Sequence, residues 1–142
     1  MDLGEIKFLN AFNAIPGVGA ATLREIKTHF GSFAKAWSAD DRALQDAASD
    51  SQARSALAER KRSIDPDRVI QKLVKENVWT ISDDEESYPP LLSQIPYPPL
   101  ILYGRGSKDA LAVRHTVAVV GTRRPTPYGI EAAETIAAQL AE

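Results

Sequence analysis

The sequence predicts a mostly α-helical N-terminal domain, residues 1–76, followed by the beginning of an α/β domain, residues 77–142. The first part carries apolar residues at helical spacing, and the second carries short apolar runs typical of strands. The composition, 44% hydrophobic and 25% charged, is that of a soluble globular protein. No apolar run approaches the roughly 20 residues that span a bilayer, and the N-terminus lacks a signal pattern. We therefore predict a cytoplasmic protein without a membrane segment.

Two helices joined by a short turn open the first domain. Pro16 and Gly17 end the first helix, and Gly31 is placed to cap the second, which covers 19–31. The residues predicted to line their buried faces are Ile6, Leu9, Phe12, Ile15, Leu23, Ile26 and Phe30. The next helices are short and rich in alanine, so tertiary packing must stabilise them.

Five further helices are predicted, four in the remainder of the first domain and one at the end of the chain. Three short ones cover 32–37, 40–48 and 50–62, with Trp37, Leu44 and Leu57 in the core. Asp65-Pro66 is a good N-cap and first-turn pair for the last helix of the domain. Thr126-Pro127 likewise opens a C-terminal helix, whose predicted apolar face contains Ile130, Ala133, Ile136, Ala137 and Leu140.

Three strands are predicted in the second domain. The first is "VWTIS" (78–82), the second is "LILYG" (100–104) and the third is "VAVV" (117–120). The segment from 88 to 106 contains five prolines, which exclude a regular helix there.

Charge and cysteine content limit the chemistry. The sequence has no cysteine, so disulfides, thiolate catalysis and cysteine-ligated zinc are excluded, and no recognisable metal site is present. The net charge of −2 argues against a wholly basic nucleic-acid-binding surface. The positive charge is nevertheless concentrated in one segment, 105–124. Its single acidic residue is Asp109, and its basic residues are Arg105, Lys108, Arg114, Arg123 and Arg124.

The turn between the first two helices has the form of a helix-hairpin-helix element. Gly17 and Gly19 flank one apolar residue in "NAIPGVG" (13–19), and such a turn can bring backbone N–H groups close to a DNA phosphate. The alternative is a helix–helix turn whose glycines serve packing alone. No basic residue lies between Lys7 and Arg24 to support the DNA contact.

The stretch "VAVVGTRRPTPYG" (117–129) has the form of an anion-binding loop. A loop that leaves a parallel strand and enters a helix is a usual ligand site, and Arg123 and Arg124 add bidentate donors there. Further glycines, which close approach of a dinucleotide needs, do not follow Gly121. The sequence therefore favours a nucleic-acid backbone lying across the loop. Two solvated arginines beside a capped helix are the alternative.

The proline-rich segment and the glycine-arginine loop, at this spacing, resemble the DNA processing protein A (DprA/Smf) family. The resemblance covers 88–142 strongly and the helical region weakly. It implies a sterile-alpha-motif-like (SAM-like) helical domain followed by a Rossmann-like domain, of which this chain holds an incomplete part. It also implies no enzymatic activity and no cofactor. The implied function is that of a mediator of natural transformation, which binds and protects single-stranded DNA and helps to load the RecA recombinase.

The family motifs fall on specific residues of this sequence. The phosphate-contacting motif falls on Gly121, Thr122 and Arg123, with Arg124 beside it, and the Tyr-Gly pair that opens the helix falls on Tyr128 and Gly129. Tyr128 could stack on a base, although a tyrosine in a first helical turn more often packs against the fold. The sequence departs from the family at Tyr97, where an acidic residue is common.

The resemblance also implies that the chain is an N-terminal fragment. The RecA-facing surface and the main contacts of a homodimer would then lie beyond residue 142. A strand at 117–120 cut off from its neighbours would expose apolar surface, so we expect the chain to self-associate through 100–142 or to have these residues disordered.

Two other functions remain open at this level. A Rossmann-like enzyme acting on nucleoside phosphates would use the same loop, but no convergent acid–base pair is evident, and His29 and His115 have no recognisable metal partner. Residues 1–76 alone could instead form a protein-interaction module, because their charge is balanced and no helix has a basic face.

Overall fold

The computed structural model describes residues 3–113 and 115–141. Over these residues the chain forms two compact units, the first ending at Ala112 and the second beginning at Val113. The first contains six α-helices and two strands, and the second contains one α-helix. The fold is thus mostly helical with a small sheet, as the sequence predicts for a helical domain and the start of an α/β domain. The SAM-like and Rossmann-like folds and the domain boundary near residue 77 stay predictions.

The helices of the first unit begin and end close to the predicted positions. They are α1 (Leu3–Asn13), α2 (Ala20–Phe30), α3 (Phe33–Ser38), α4 (Asp41–Asp46), α5 (Ser51–Arg60) and α6 (Pro66–Lys75). Gly31 caps α2 in the left-handed conformation, with φ 71°, and the Asp65 carboxylate caps α6 by accepting from the amide of Asp67. Local capping chemistry therefore sets these boundaries.

The core of the first unit is formed mainly by the predicted apolar faces. Among the buried side chains, Leu9, Phe12, Ile15, Leu23, Ile26, Leu44 and Leu57 are at most 1% exposed. Trp37 is partly buried and packs edge-on against Phe12, with ring centroids 4.9 Å apart. Leu100 and Ile101 join the same core, so the second strand packs on the helices.

A single carboxylate links α1 to α3. Glu5 lies in the first turn of α1 and accepts four hydrogen bonds, from the Ser32 hydroxyl, the amides of Phe33 and Ala34 and the Lys27 ammonium. Burial acts to raise the pKa of this carboxyl, but the hydrogen bonds outweigh it and lower the pKa from 4.5 to about 2.

The sheet of the first unit consists of β1 (Trp79–Ser82) and β2 (Ile101–Gly104), which pair antiparallel with Trp79 opposite Gly104. The predicted strands at 78–82 and 100–104 are therefore confirmed. The Trp79 indole lies directly over Gly104, where a Cβ atom would be 2.1 Å from the ring, and its Nε1 donates to the Gly106 carbonyl at 2.8 Å. A glycine is required opposite this tryptophan.

The second unit lacks the predicted third strand. Residues 115–126 form neither helix nor strand, and Val117, Val119 and Val120 are 67%, 48% and 89% exposed. The prediction of a strand at 117–120 is wrong for this structure, because a strand requires a neighbour for its backbone hydrogen bonds and this unit contains no other strand among its described residues.

Helix α7 (Pro127–Leu140) begins where the sequence predicts, but its apolar face is uncovered. Ile130, Ile136 and Leu140 are 47%, 51% and 55% exposed. None of the described residues from 113 to 141 is buried. The predicted exposure of apolar surface in this part of the chain is confirmed.

Candidate nucleic-acid interface

The loop before α7 is held by short local hydrogen bonds. Thr126 is the N-cap of α7, and its hydroxyl oxygen accepts from the amide of Gly129 at 3.2 Å. The hydroxyl oxygen of Thr122 accepts from the amide of Arg124 at 3.2 Å. Two threonines thus fold the chain between Gly121 and Gly129 without any contact to a core.

The two arginines of the loop are exposed and unpaired. Neither Arg123 nor Arg124 has an ion-pair or side-chain hydrogen-bond partner among the described residues. Most other arginines of the described chain lie beside acceptors, as Arg62 does beside Asp41 and Arg105 beside Glu76. The guanidinium groups of the loop are therefore available to an anion. Arg114, the remaining arginine of the basic segment, lies outside the described residues.

Gly121 and Tyr128 border the arginines on either side. A Cβ atom added to Gly121 would meet nothing within 4 Å, and its φ is not in the left-handed region, so no protein contact requires a glycine there. Tyr128 is 79% exposed, and the expectation that it packs against the fold is wrong. Both positions present open surface: bare backbone at one end of the loop and an aromatic ring at the other.

The helix-hairpin-helix turn has a different character. Gly17 adopts a left-handed φ of 97°, and a Cβ atom on it would lie 3.4 Å from the Ala56 side chain of α5. Val18 between the glycines is 6% exposed and joins the core. Gly19 is the N-cap of α2 with φ −102°. The geometry favours packing as the role of Gly17, and DNA contact by Gly17 and Gly19 stays a prediction.

The sequence predictions missed a cation–π contact at the sheet and a strained backbone position in the proline-rich segment. Lys108 places its ammonium 5.6 Å from the centre of the Trp79 ring, a cation–π contact between residues far apart in sequence. Tyr97 adopts a left-handed φ of 58° and is 76% exposed. The acidic residue that the family resemblance implies at this position was the available signal, because aspartate tolerates this conformation better than tyrosine.

Other classes of site are not built by the described residues. Within 3–113 and 115–141, no group of three or more His, Asp or Glu side chains could hold a metal ion. No helix in that part of the chain is long and apolar enough to cross a bilayer.

Comparison with known proteins points to one family. Residues 77–142 match the family model described as DNA recombination-mediator protein A. The match begins at residue 77, where the sequence pattern changes from one typical of helices to one typical of strands. It includes the whole loop from Gly121 to Gly129.

Two curated relatives extend the similarity. Protein Smf of Synechocystis sp. is 28% identical over 123 residues, which cover 84% of this chain and 31% of that protein. DNA processing protein DprA of Bacillus subtilis is 34% identical over 62 residues, 44% of this chain and 21% of that protein. The chain thus spans a third or less of the length of these relatives. No solved structure matches it significantly. Residues 77–142 are thus similar to the DNA recombination-mediator protein A family, and the two relatives are named Smf and DprA.

Proposed function

We propose that this chain binds single-stranded DNA through the loop from Gly121 to Tyr128, as part of a protein that mediates DNA recombination. The observation that carries the proposal is the pair of exposed guanidinium groups, on Arg123 and Arg124, without a carboxylate partner among the described residues. The match of residues 77–142 to the family model and the names of the relatives support a DNA ligand.

The binding is electrostatic and independent of sequence. A guanidinium presents two parallel N–H donors to the two non-bridging oxygens of a phosphodiester. Tyr128, at 79% exposure, offers a ring face on which any base can stack. Because the contacts are to phosphate and to ring faces, the affinity depends on salt and little on base identity.

The biological setting follows from the resemblance to the family. We propose that the protein acts in the cytoplasm in natural transformation, where it protects incoming single-stranded DNA and helps to load RecA. It acts as a binding protein and not as an enzyme, and it uses no cofactor. We also propose that the longer protein is a homodimer and that this chain self-associates through residues 100–142.

Fluorescence anisotropy with a labelled oligothymidylate tests the DNA contact. We expect Arg123→Ala or Arg124→Ala in this chain to weaken binding about five- to tenfold, and to reduce the slope of log K against log salt by about 0.7, the value for one phosphate contact in a single strand. Arg62→Ala is the matched control, because Arg62 is exposed but pairs with Asp41 in the first unit. Equal affinities of all four proteins would reject the loop as the interface.

A protein-interaction role for the helical region is the second candidate function. Its support is the pairing of cations in the first unit: Lys7 with Asp67, Arg24 with Asp83 and Lys27 with Glu5. Paired cations attract DNA weakly, which leaves Lys35 on α3 and Arg42 on α4 as exposed cations without an ion-pair partner among the described residues. If the helices serve protein interaction, oligonucleotide affinity should survive alanine substitution of both. A tenfold loss in that double variant would instead assign DNA binding to the helices.

A further inference from the structure

The first turn of α7 offers few donors to a ligand. Pro127 has no N–H group, and the amide of Gly129 already donates to the Thr126 hydroxyl oxygen at 3.2 Å. The amide of Ile130 donates to the Thr126 carbonyl at 3.1 Å. Of the first-turn amides, that of Tyr128 is left. In the loop itself, the amide of Arg124 already donates to the hydroxyl oxygen of Thr122.

Because these amides already donate within the protein, they affect which phosphate groups the loop can bind. Terminal and internal phosphates differ in the hydrogen-bond donors that they require. A terminal phosphate carries a charge of about −1.5 to −2 and three free oxygens, and it is bound best by several convergent amides at a helix N-terminus. An internal phosphodiester carries one charge and two free oxygens, which one guanidinium satisfies. The helix end is blocked by Pro127 and by the Thr126 cap, whereas the guanidinium groups are free.

We infer that the loop selects phosphodiesters within a strand over terminal phosphates, and therefore binds unpaired DNA along its length and not at its ends. The inference rests on the proposed function, since it specifies which part of the DNA the same loop binds. Arg123 and Arg124 are consecutive, with Cα atoms about 3.8 Å apart, and together supply two single-charge sites.

The openness of the loop supports the same conclusion. All residues from 121 to 128 are exposed, so among the described residues none forms a wall that would enclose the end of a strand or a mononucleotide at the loop. A continuous strand can cross such a surface and leave it on both sides. The exposed ring of Tyr128 then contributes a stacking contact that requires a base but no chain end.

Competition binding with the whole chain tests the inference. A labelled oligothymidylate with a 5′-hydroxyl end is displaced by the same unlabelled oligonucleotide, by its 5′-phosphorylated form, by thymidine monophosphate and by inorganic phosphate. We expect the two oligonucleotides to compete within about twofold of each other, and the two small phosphates to be at least about a hundredfold weaker. A tenfold advantage of the 5′-phosphorylated form would overturn the inference and leave DNA binding intact. Failure of the labelled oligonucleotide to bind would overturn the proposed function itself.

Variants at Thr126 test the physical cause. Thr126→Ala removes the cap and frees the amide of Gly129, so the preference for the 5′-phosphorylated oligonucleotide over the 5′-hydroxyl form should rise about threefold or more. Thr126→Ser retains the capping hydroxyl and should keep the wild-type ratio, and Thr116→Ala, upstream of the loop, is the matched control. Circular dichroism verifies that α7 persists in each variant. An unchanged ratio in a folded Thr126→Ala protein would contradict the blocking role of the cap.

Discussion

At the scale of single residues, Glu5 shows how one side chain can join two helices. Its carboxylate lies at the N-terminus of α3, where two free amides and the helix dipole favour a negative charge. The sequence offered no local signal for this contact, because Glu5 and Phe33 are separated by 28 residues. Capping within one helix is predictable from sequence, but capping by another helix depends on the fold.

Glu5→Gln should lower the free energy of unfolding by about 1–3 kcal/mol at pH 7, since charged hydrogen bonds are lost. The folded-state pKa is lowered to about 2, so the stabilisation is present above about pH 4.5 and is lost as the pH falls towards 2. Urea denaturation at pH 7 and pH 3 should therefore show a smaller difference between the two proteins at pH 3. Glu86→Gln, at an exposed position, controls for loss of charge alone. A difference that is the same at both pH values would refute the carboxylate's role.

Gly104 is required by the indole above it. In Gly104→Ala the new Cβ atom would lie 2.1 Å from Trp79, so the ring must move and lose its hydrogen bond to Gly106. We expect a loss of about 1–3 kcal/mol in stability and a shift in tryptophan emission. Trp79→Phe in the same background should recover part of the loss, because the smaller ring relieves the clash. Additive effects of the two substitutions would show that they do not meet.

Tyr97 carries backbone strain without a packing contact that requires it. Its φ of 58° is unfavourable for tyrosine, and its side chain is 76% exposed. Tyr97→Asn should raise the free energy of unfolding by up to about 1 kcal/mol, because asparagine tolerates the left-handed region. Tyr97→Phe keeps the strain and should leave stability unchanged. Thermal denaturation distinguishes the two, and a destabilised Tyr97→Asn protein would indicate that the ring packs in solution.

At the scale of elements, prediction succeeded where local chemistry decides and failed where a partner decides. Thr126 and Pro127 start α7 because capping and proline geometry act within four residues. Strands β1 and β2 form because they pair with each other, although the acidic and proline-rich segments separate them in sequence. Val117–Val120 has an equally strong strand composition but no neighbour, so composition alone gave the wrong result. The exposed arginines of the candidate site were predictable, since they lie in a loop; the blocked amides beside them were not.

At the scale of the whole molecule, the uncovered face of α7 has a consequence for solution behaviour. A 14-residue helix with no buried residue is marginal on its own, and its apolar side chains favour association. Light scattering should give an average mass above the 15.5 kDa of one chain, rising with concentration.

Ile136→Gln should reduce this association, because Ile136 is 51% exposed on the apolar face. Gln139→Ala on the same helix is the control. A mass that stays at one chain at every concentration, with α7 still helical, would exclude self-association through this face.

The positions of the aromatic rings determine what spectroscopy can detect. Both tryptophans of the chain, Trp37 and Trp79, lie in the first unit, one against Phe12 and one over Gly104. Both indoles therefore report on the first unit, and neither belongs to the segment that carries the arginine loop. A denaturation curve followed at tryptophan wavelengths will describe the helical core and the sheet of the first unit, and a probe within the other segment has to be introduced, for instance by replacing Tyr128 with tryptophan.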